Sequence, residues 1–294
     1  MKLNVYSATL FLVLIASLYS CSNGSEKESI DKEAVDPAAS LNTNFDGKIF
    51  SIPSPVQTAM LIKELNLPFD QNILNPTENS RNYSTEFKQA LNLGIYGTDL
   101  GYCSLYEQKN SALKYLSVVE KLTGQLGLEG AFDKSFMSRF EKNADNQDSM
   151  VVITADAFRK ADYFLKNAKR KSTSSLILAG GWIESIHFAC KMNAASNNAK
   201  IKERIGEQQQ TLSTMIEILG EYNKSKQNDE LITSLKDLKT EFDKIKVNYT
   251  YVAPKTDAKN KVTTLQHDIS VEISDDVMSA INTKVNNLRE SVIK

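Results

Sequence analysis

The feature that most constrains the fold is residues 176–190 (LILAGGWIESIHFAC), a run that would be apolar on nearly every side of a helix. A helix of this kind has no face suited to water, so it belongs at the centre of a core with other helices around it. Only two ionisable side chains other than the cysteine, Glu184 and His187, interrupt the run. We therefore predict a central buried helix with the rest of the fold packed around it.

The rest of the chain mostly repeats the helical period, with apolar residues three and four positions apart. Serine residues before several of these segments are expected N-caps: Ser54, followed by Pro55 at the first helical position, then Ser84 and Ser274. The predicted helices cover roughly 55–67, 84–106, 110–127, 132–140, 148–171, 198–221, 228–246 and 275–293. With the central helix, they predict an all-α fold, a single domain of about eight or nine helices.

One region near the C-terminus has the period of a β-strand. Residues 247–251 and 269–273 alternate between apolar and polar side chains, and a polar stretch, 254–261, lies between them. The pattern is compatible with a small β-hairpin and equally with a long loop.

The N-terminus has the features of an export signal. Lys2 precedes an apolar run, residues 8–19, that is shorter than the roughly 20 residues of a membrane-spanning helix. The following Leu18-Tyr19-Ser20-Cys21 resembles a lipobox, which implies cleavage after Ser20 and lipidation of Cys21, including palmitate-type acyl chains. Such chains would anchor the protein stably in a lipid bilayer. The alternative is an ordinary secretory signal peptide over residues 1–20.

The residues after Cys21 are polar and lack helical periodicity. We predict a flexible tether over 21–48 and a helical globular domain over 49–294. In the lipoproteins that the lipobox resembles, Asp after the cysteine favours the inner membrane. Ser22 at this position indicates the outer membrane, and the acidic residues that follow leave the periplasm and the cell surface both open.

Charge and cysteine content narrow the function classes. The chain has 35 Lys and Arg residues against 36 Asp and Glu residues, so there is no basic excess for binding nucleic acid. Besides Cys21, the chain has Cys103 and Cys190, both in apolar helical stretches. In an oxidising envelope they could form a disulfide, and two buried thiols fit the sequence equally well.

Two Gly-containing segments, residues 93–102 and 178–187, are similar to each other. In each, small residues precede a carboxylate that lies three positions before a ring: Asp99 before Tyr102, and Glu184 before His187. This spacing puts acid and ring on one face of a helix. A duplicated ancestor and chance convergence both explain the likeness. The four side chains form the candidate pocket of this sequence.

The chemistry of this candidate pocket is weakly specified. Glu184-x-x-His187 has the spacing of helical di-iron sites, but the second such motif is missing. The sequence also lacks a nucleophile elbow, a phosphate-binding glycine loop and a CxxC motif. We therefore predict no catalytic residue, no metal site and no cofactor. Instead of forming a functional site, Glu184 and His187 would then be a buried polar pair in which each side chain satisfies the other.

Four tyrosines, Tyr96, Tyr102, Tyr106 and Tyr115, lie close together in the sequence. Tyrosine is a frequent anchor at binding surfaces because it is apolar with a polar tip. The other interpretation is that these rings pack in the core and at its boundary.

The LYSC lipobox, IPSPVQTAMLIKE, NLGIYGTDLGY and LILAGGWIESIHFA together resemble a family of helical lipoproteins of Bacteroidetes-type bacteria. The resemblance covers nearly all of the mature chain and implies an envelope location and a helical fold. The family has no known activity, so it implies no catalytic residues.

The sequence thus favours a non-enzymatic envelope lipoprotein that binds a protein or glycan partner. The second hypothesis is a small-ligand or metal-binding protein, or an enzyme, with a pocket around Asp99, Tyr102, Glu184 and His187. The sequence leaves enzymatic activity undecided, with the balance toward none.

Overall fold

The structure is a computed structural model that describes residues 41–45, 48–52, 55–130, 134–143, 146–167, 169–259 and 262–294. The predicted signal peptide, Cys21 and the tether up to residue 40 lie outside these residues. Within them the chain forms ten α-helices and two antiparallel two-stranded sheets. The prediction of an all-α fold with a small hairpin near the C-terminus is confirmed.

The elements follow one another with short connections. The first sheet pairs β1 (Leu41–Phe45) with β2 (Lys48–Ile52), so a strand lies within the stretch that the sequence assigned to the tether. The helices are α1 (Pro55–Glu64), α2 (Glu86–Leu105), α3 (Lys109–Gln125), α4 (Lys134–Lys142), α5 (Gln147–Asn167), α6 (Lys171–Ser196), α7 (Ala199–Gly206), α8 (Gln208–Glu221), α9 (Asp229–Phe242) and α10 (Asp275–Ile293). Two short 3-10 turns, Gln71–Ile73 and Thr77–Arg81, lie between α1 and α2.

Helix α6 is the centre of the fold. It contacts α1, α2, α5, α7, α8 and α10, and every residue from Thr173 to Cys190 is buried. The prediction of a central helix is therefore confirmed. Its neighbours are amphipathic and turn their apolar stripes toward it, as the sequence periodicity requires.

Helices α2 and α6 cross at unusually short range because glycines face backbone at the crossing. A Cβ atom on Gly180 would lie 1.9 Å from the carbonyl oxygen of Leu91, and one on Gly94 would lie 2.0 Å from that of Ile177. Any larger residue would push the helices apart. The two similar segments of the sequence thus pack directly against each other, which brings Asp99 and Glu184 together.

Two details of the helix predictions were wrong. Thr85, not Ser84, caps α2, and its side chain accepts a hydrogen bond of 3.2 Å from the backbone N–H of Lys88. The single helix predicted over 198–221 is two helices, α7 and α8, which raises the count to ten. Where they meet, a Cβ on Gly206 would lie 2.2 Å from Cγ1 of Val271, so the glycine leaves room for a neighbouring strand.

The second sheet pairs β3 (Lys246–Asp257) with β4 (Val262–Glu272), and we call these two strands the β arm. Their antiparallel register runs from Lys246 opposite Glu272 to Asp257 opposite Val262, with an irregularity between Val252 and Lys255. The strands are longer than predicted because much of the polar stretch also pairs.

Cys103 and Cys190 are both buried free thiols. Of the two alternatives that the sequence left open, the structure shows two buried thiols rather than a disulfide. Burial raises the pKa of the Cys190 thiol to about 12.

None of the described helices combines the length and the apolar character needed to cross a bilayer.

Candidate functional site

The candidate pocket lies inside the helical body, where its charge is balanced by a residue that the sequence analysis did not select. Arg289 of α10 donates from Nε and Nη2 to the two carboxylate oxygens of Glu184, each at 2.7 Å. Both side chains are almost completely buried. The short, bidentate geometry is that of a strong, oriented ion pair. The interpretation in which Glu184 pairs with His187 was wrong, because Arg289 occupies the carboxylate.

Asp99 adds a second carboxyl group to this ion pair. Burial, the charge of Glu184 and a hydrogen bond to Glu184 raise the pKa of Asp99 well above its usual range, although Arg289 acts in the opposite direction. One guanidinium faces two carboxyl groups, so the surroundings of Asp99 favour its protonated form. The backbone N–H of Asn75 also donates to Oδ2 of Asp99 at 3.3 Å.

His187 lies at the edge of the same cluster and is neutral. Burial, followed by the charges of Arg289 and Lys191, lowers its pKa to about 3, and a hydrogen bond with the backbone of Ile73 only partly opposes this shift. The carbonyl of Ile73 also accepts a hydrogen bond of 3.0 Å from Nη2 of Arg289. We call Asp99, Glu184, His187 and Arg289 the buried cluster.

Tyr102 does not join the buried cluster but holds the loop that covers it. Its hydroxyl accepts a hydrogen bond of 3.1 Å from the backbone N–H of Asp70, and its ring lies 5.2 Å from that of Phe69. The other tyrosines donate to the same loop. Tyr106 binds the carbonyl of Leu67 at 2.7 Å, Tyr96 that of Pro76 at 2.8 Å, and Tyr115 that of Asn75 at 3.0 Å.

The tyrosines are therefore packing residues with a specific task. A loop without regular strands or long helices leaves backbone groups that need partners. Hydroxyls from α2 and α3 supply those partners at several positions between residues 67 and 76. The binding-surface interpretation of these four residues was wrong, since their hydroxyl groups point to the protein's own backbone.

Tyr83, in the connection before α2, and Asn92 of α2 close the end of the last helix. The hydroxyl of Tyr83 donates to the carbonyl of Ile293 at 3.0 Å, and the side-chain amide of Asn92 donates to that of Val292 at 3.0 Å. These are carbonyls that the end of a helix leaves without partners. The buried cluster, the loop and the C-terminus therefore form one continuous polar network within the apolar core.

Arg289 was missed although the sequence holds a signal for it. It lies four residues after Val285 and three before Val292, on the apolar stripe of the last helix. A cation on such a stripe needs a buried anion, and Glu184 is the acid in the most apolar helix of the chain.

The arrangement explains stability better than it explains chemistry. The carboxylate of Glu184 is engaged by Arg289, and burial raises the pKa of Asp99 and lowers that of His187. All three residues lie within the core. Within the described part of the chain no group of three or more His, Cys, Asp or Glu residues is arranged to hold a metal ion.

A small cavity elsewhere, between α2, α3, α4, α5 and α6, is lined by side chains such as Leu100, Phe136 and Phe158. It has a volume of about 30 Å³. This is room for about one water molecule rather than an organic ligand.

The β arm differs from every region described so far, because its side chains are exposed. All residues of β3 whose side chains the structure describes are exposed, including Tyr251 at 71% and Val247 at 43%. Val262 at the start of β4 is 54% exposed. Among the described elements, β3 packs on β4, and β4 meets the helical body at α7, where Val271 lies against Gly206.

Comparisons of the chain with protein-family models, with curated proteins and with solved structures give no match.

Proposed function

We propose that the protein is a lipid-anchored binding module of the cell envelope that holds its partner through the β arm. The observation that carries this proposal is the exposure of apolar and aromatic side chains along a hairpin whose main described contact with the helical body lies at its base. The proposal keeps the envelope location that the lipobox implies and replaces the helical surface by the arm as the binding element.

The physical argument starts from the stability of hairpins. A two-stranded hairpin without further packing is marginally stable in water, and three strands or packing against another surface stabilise it. The arm has 12 residues in β3 and 11 in β4, far more than a connection between α9 and α10 requires. Exposed, neighbouring apolar residues on a protein surface mark an interaction site. A partner that covers Val247 and Tyr251, which lie on one face of the arm, would supply the packing that the helical body does not.

The anchor is tested separately from the arm. We expect the full chain to incorporate an alkyne-labelled fatty acid in the cells that produce it, and the Cys21→Ser variant to incorporate none. Label on the variant, or none on the parent chain, would contradict the lipoprotein assignment. Proteinase treatment of intact and lysed cells then distinguishes a domain on the cell surface, lost before lysis, from one in the periplasm, protected until lysis.

Two exposed tyrosines provide a matched test of the arm. A photoreactive phenylalanine analogue replaces Tyr251 of the arm, or Tyr163 of α5, which is 63% exposed on the helical body. The full-length proteins are irradiated in intact cells and their adducts are compared. We expect a discrete, saturable adduct from position 251 and none from 163. Equal labelling at both positions, or none at 251, would refute binding through the arm.

A further inference from the structure

We propose that the partner is an extended polypeptide segment, rich in Lys or Arg, that pairs with the free edge of β4 as a third strand. This inference rests on the proposed function of the β arm and names the chemistry of its partner. Addition of a strand to an exposed sheet edge is a general mode of peptide recognition, in which backbone hydrogen bonds supply affinity.

The two edges of the arm are not equivalent. Strand β3 carries Lys246 and Lys255, a proline at Pro254 and the irregularity next to it. Lysine, proline and bulges are the features by which proteins protect sheet edges from pairing. Strand β4 reads VTTLQHDISVE and contains no lysine, arginine, proline or glycine. One edge is therefore protected, and the other is left competent to pair.

The outer edge of β4 is also long and accessible. Its contact with the helical body is at α7, near Val271 at the base of the arm. The part from Val262 to Ser270 extends beyond that contact, and its described side chains are exposed. At about 3.4 Å per residue, this stretch offers an edge of about 30 Å, longer than the roughly 17–20 Å of a typical strand.

Charge identifies the composition of the added strand. The charged residues of β4 are both acidic, Asp268 and Glu272, and within the arm the basic residue opposite Glu272 is Lys246 of β3. Opposite charges across neighbouring strands stabilise a sheet, and like charges destabilise it. A third strand on the other side of β4 therefore gains from Lys or Arg near Asp268, the acid within the open edge from Val262 to Ser270. A second copy of β4 would bring only acidic charges, which argues against self-pairing.

The alternation of side chains predicts the composition of the other face of the added strand. Val247 and Tyr251 share one face of the arm with Val271, since residues two apart in a strand and opposite residues in a pair lie on the same face. A third strand with apolar residues at alternate positions would extend this face. The partner segment is thus expected to alternate between apolar and basic or polar residues.

The experiment moves a photoreactive residue along each strand of the full-length protein in intact cells. Positions 262, 264 and 270 probe β4, and positions 248, 250 and 252 probe β3 on the same face. We expect adduct yields at least tenfold higher from β4. The adducts should map to one polypeptide, and the attachment point should move along it by about as many residues as the probe moves along β4.

A charge reversal adds a second readout. We expect Asp268→Lys to lower the yield from position 264 several-fold, and Asp257→Lys in β3 to leave it unchanged. Equal yields from both strands, an attachment point that does not move, a glycan adduct or an adduct with a second copy of this chain would overturn strand addition. If position 251 still gives a specific adduct, those results leave the proposed binding through the arm standing and refute only strand addition. Failure at every arm position overturns both proposals.

Discussion

Ionisable side chains usually face solvent and large apolar side chains are usually buried. The buried cluster and the β arm depart from this preference in opposite ways. In the buried cluster, ionisable groups lie in the core, and Glu184 and Arg289 each have charged partners at hydrogen-bond distance. In the β arm, the large apolar side chains Tyr251 and Val262 face solvent. Glu184 and Arg289 satisfy each other within the chain, although Oδ1 of Asp99 and Nδ1 of His187 have no hydrogen-bond partner among the described residues. In the arm, by contrast, the described residues leave apolar side chains uncovered. This difference indicates a stabilising role for the first region and is the basis of the binding role that we propose for the second.

The same comparison separates what holds the fold from what the fold presents. A buried ion pair orients helices and loop segments because removing one partner leaves an unbalanced charge in the core. An exposed side chain contributes little to folding and is free to contribute to binding. Changes in the buried cluster should therefore lower stability, and changes in the arm should leave stability intact. Three predictions test this contrast.

The largest effect is expected for Arg289→Met. The substitution leaves the carboxylate of Glu184 buried without its counter-ion, and such losses cost about 3–5 kcal/mol of unfolding free energy. Urea unfolding at neutral pH measures the change. The double variant Glu184→Leu/Arg289→Met should recover most of it, since an apolar pair needs no counter-ion. Lys255→Met in the arm should shift the unfolding free energy by less than about 0.5 kcal/mol. Equal losses from Arg289→Met and Lys255→Met would contradict the contrast between the two regions.

The second effect concerns acid. The pKa of His187 is lowered to about 3 in the folded protein, so the unfolded chain binds this proton first as the pH falls. The contribution of His187 to the unfolding free energy is complete above about pH 6.5 and is lost as the pH falls toward 3. The loss over this range amounts to up to about 4 kcal/mol. Urea unfolding at several pH values should show this decline in the parent chain and a weaker one in His187→Gln.

The chain's other histidine provides the control for the acid experiment. His267 lies in β4, opposite Tyr251 of β3. His267→Gln should keep the pH dependence of the parent chain. If it removes the decline and His187→Gln does not, the assignment of the acid-sensitive group to the buried cluster is wrong.

The smallest effect compares two tyrosines by removing one oxygen atom. Tyr96→Phe loses the hydrogen bond to the carbonyl of Pro76 and should cost about 1 kcal/mol of unfolding free energy. Tyr251→Phe in the arm should leave the unfolding free energy unchanged within error. Denaturant unfolding of both variants measures the difference, and a loss at position 251 as large as that at 96 would show that the arm is part of the folded core.

The sequence by itself determined the helical architecture. The apolar run of 176–190 could only be a central helix, and the 3.6-residue period of its neighbours supplied the surrounding helices. Caps such as Ser274 set helix ends accurately, because they depend on local hydrogen bonds. The alternation of residues 247–251 and 269–273 also indicated the hairpin. All of these are local properties, so a single amino-acid sequence is enough to predict them.

The tertiary structure alone decided which distant residues meet. Nothing local pairs Glu184 with an arginine 105 residues later, aligns the tyrosine hydroxyls with the loop of residues 67–76, or breaks the segment 198–221 where Val271 approaches Gly206. The exposure of the β arm was equally hidden, because alternation predicts a strand but not whether another surface covers it. Burial depends on the packing of whole elements. That packing placed Asp99, Glu184 and His187 around the ion pair with Arg289, used Tyr102 to hold the covering loop, and left the described side chains of β3 exposed.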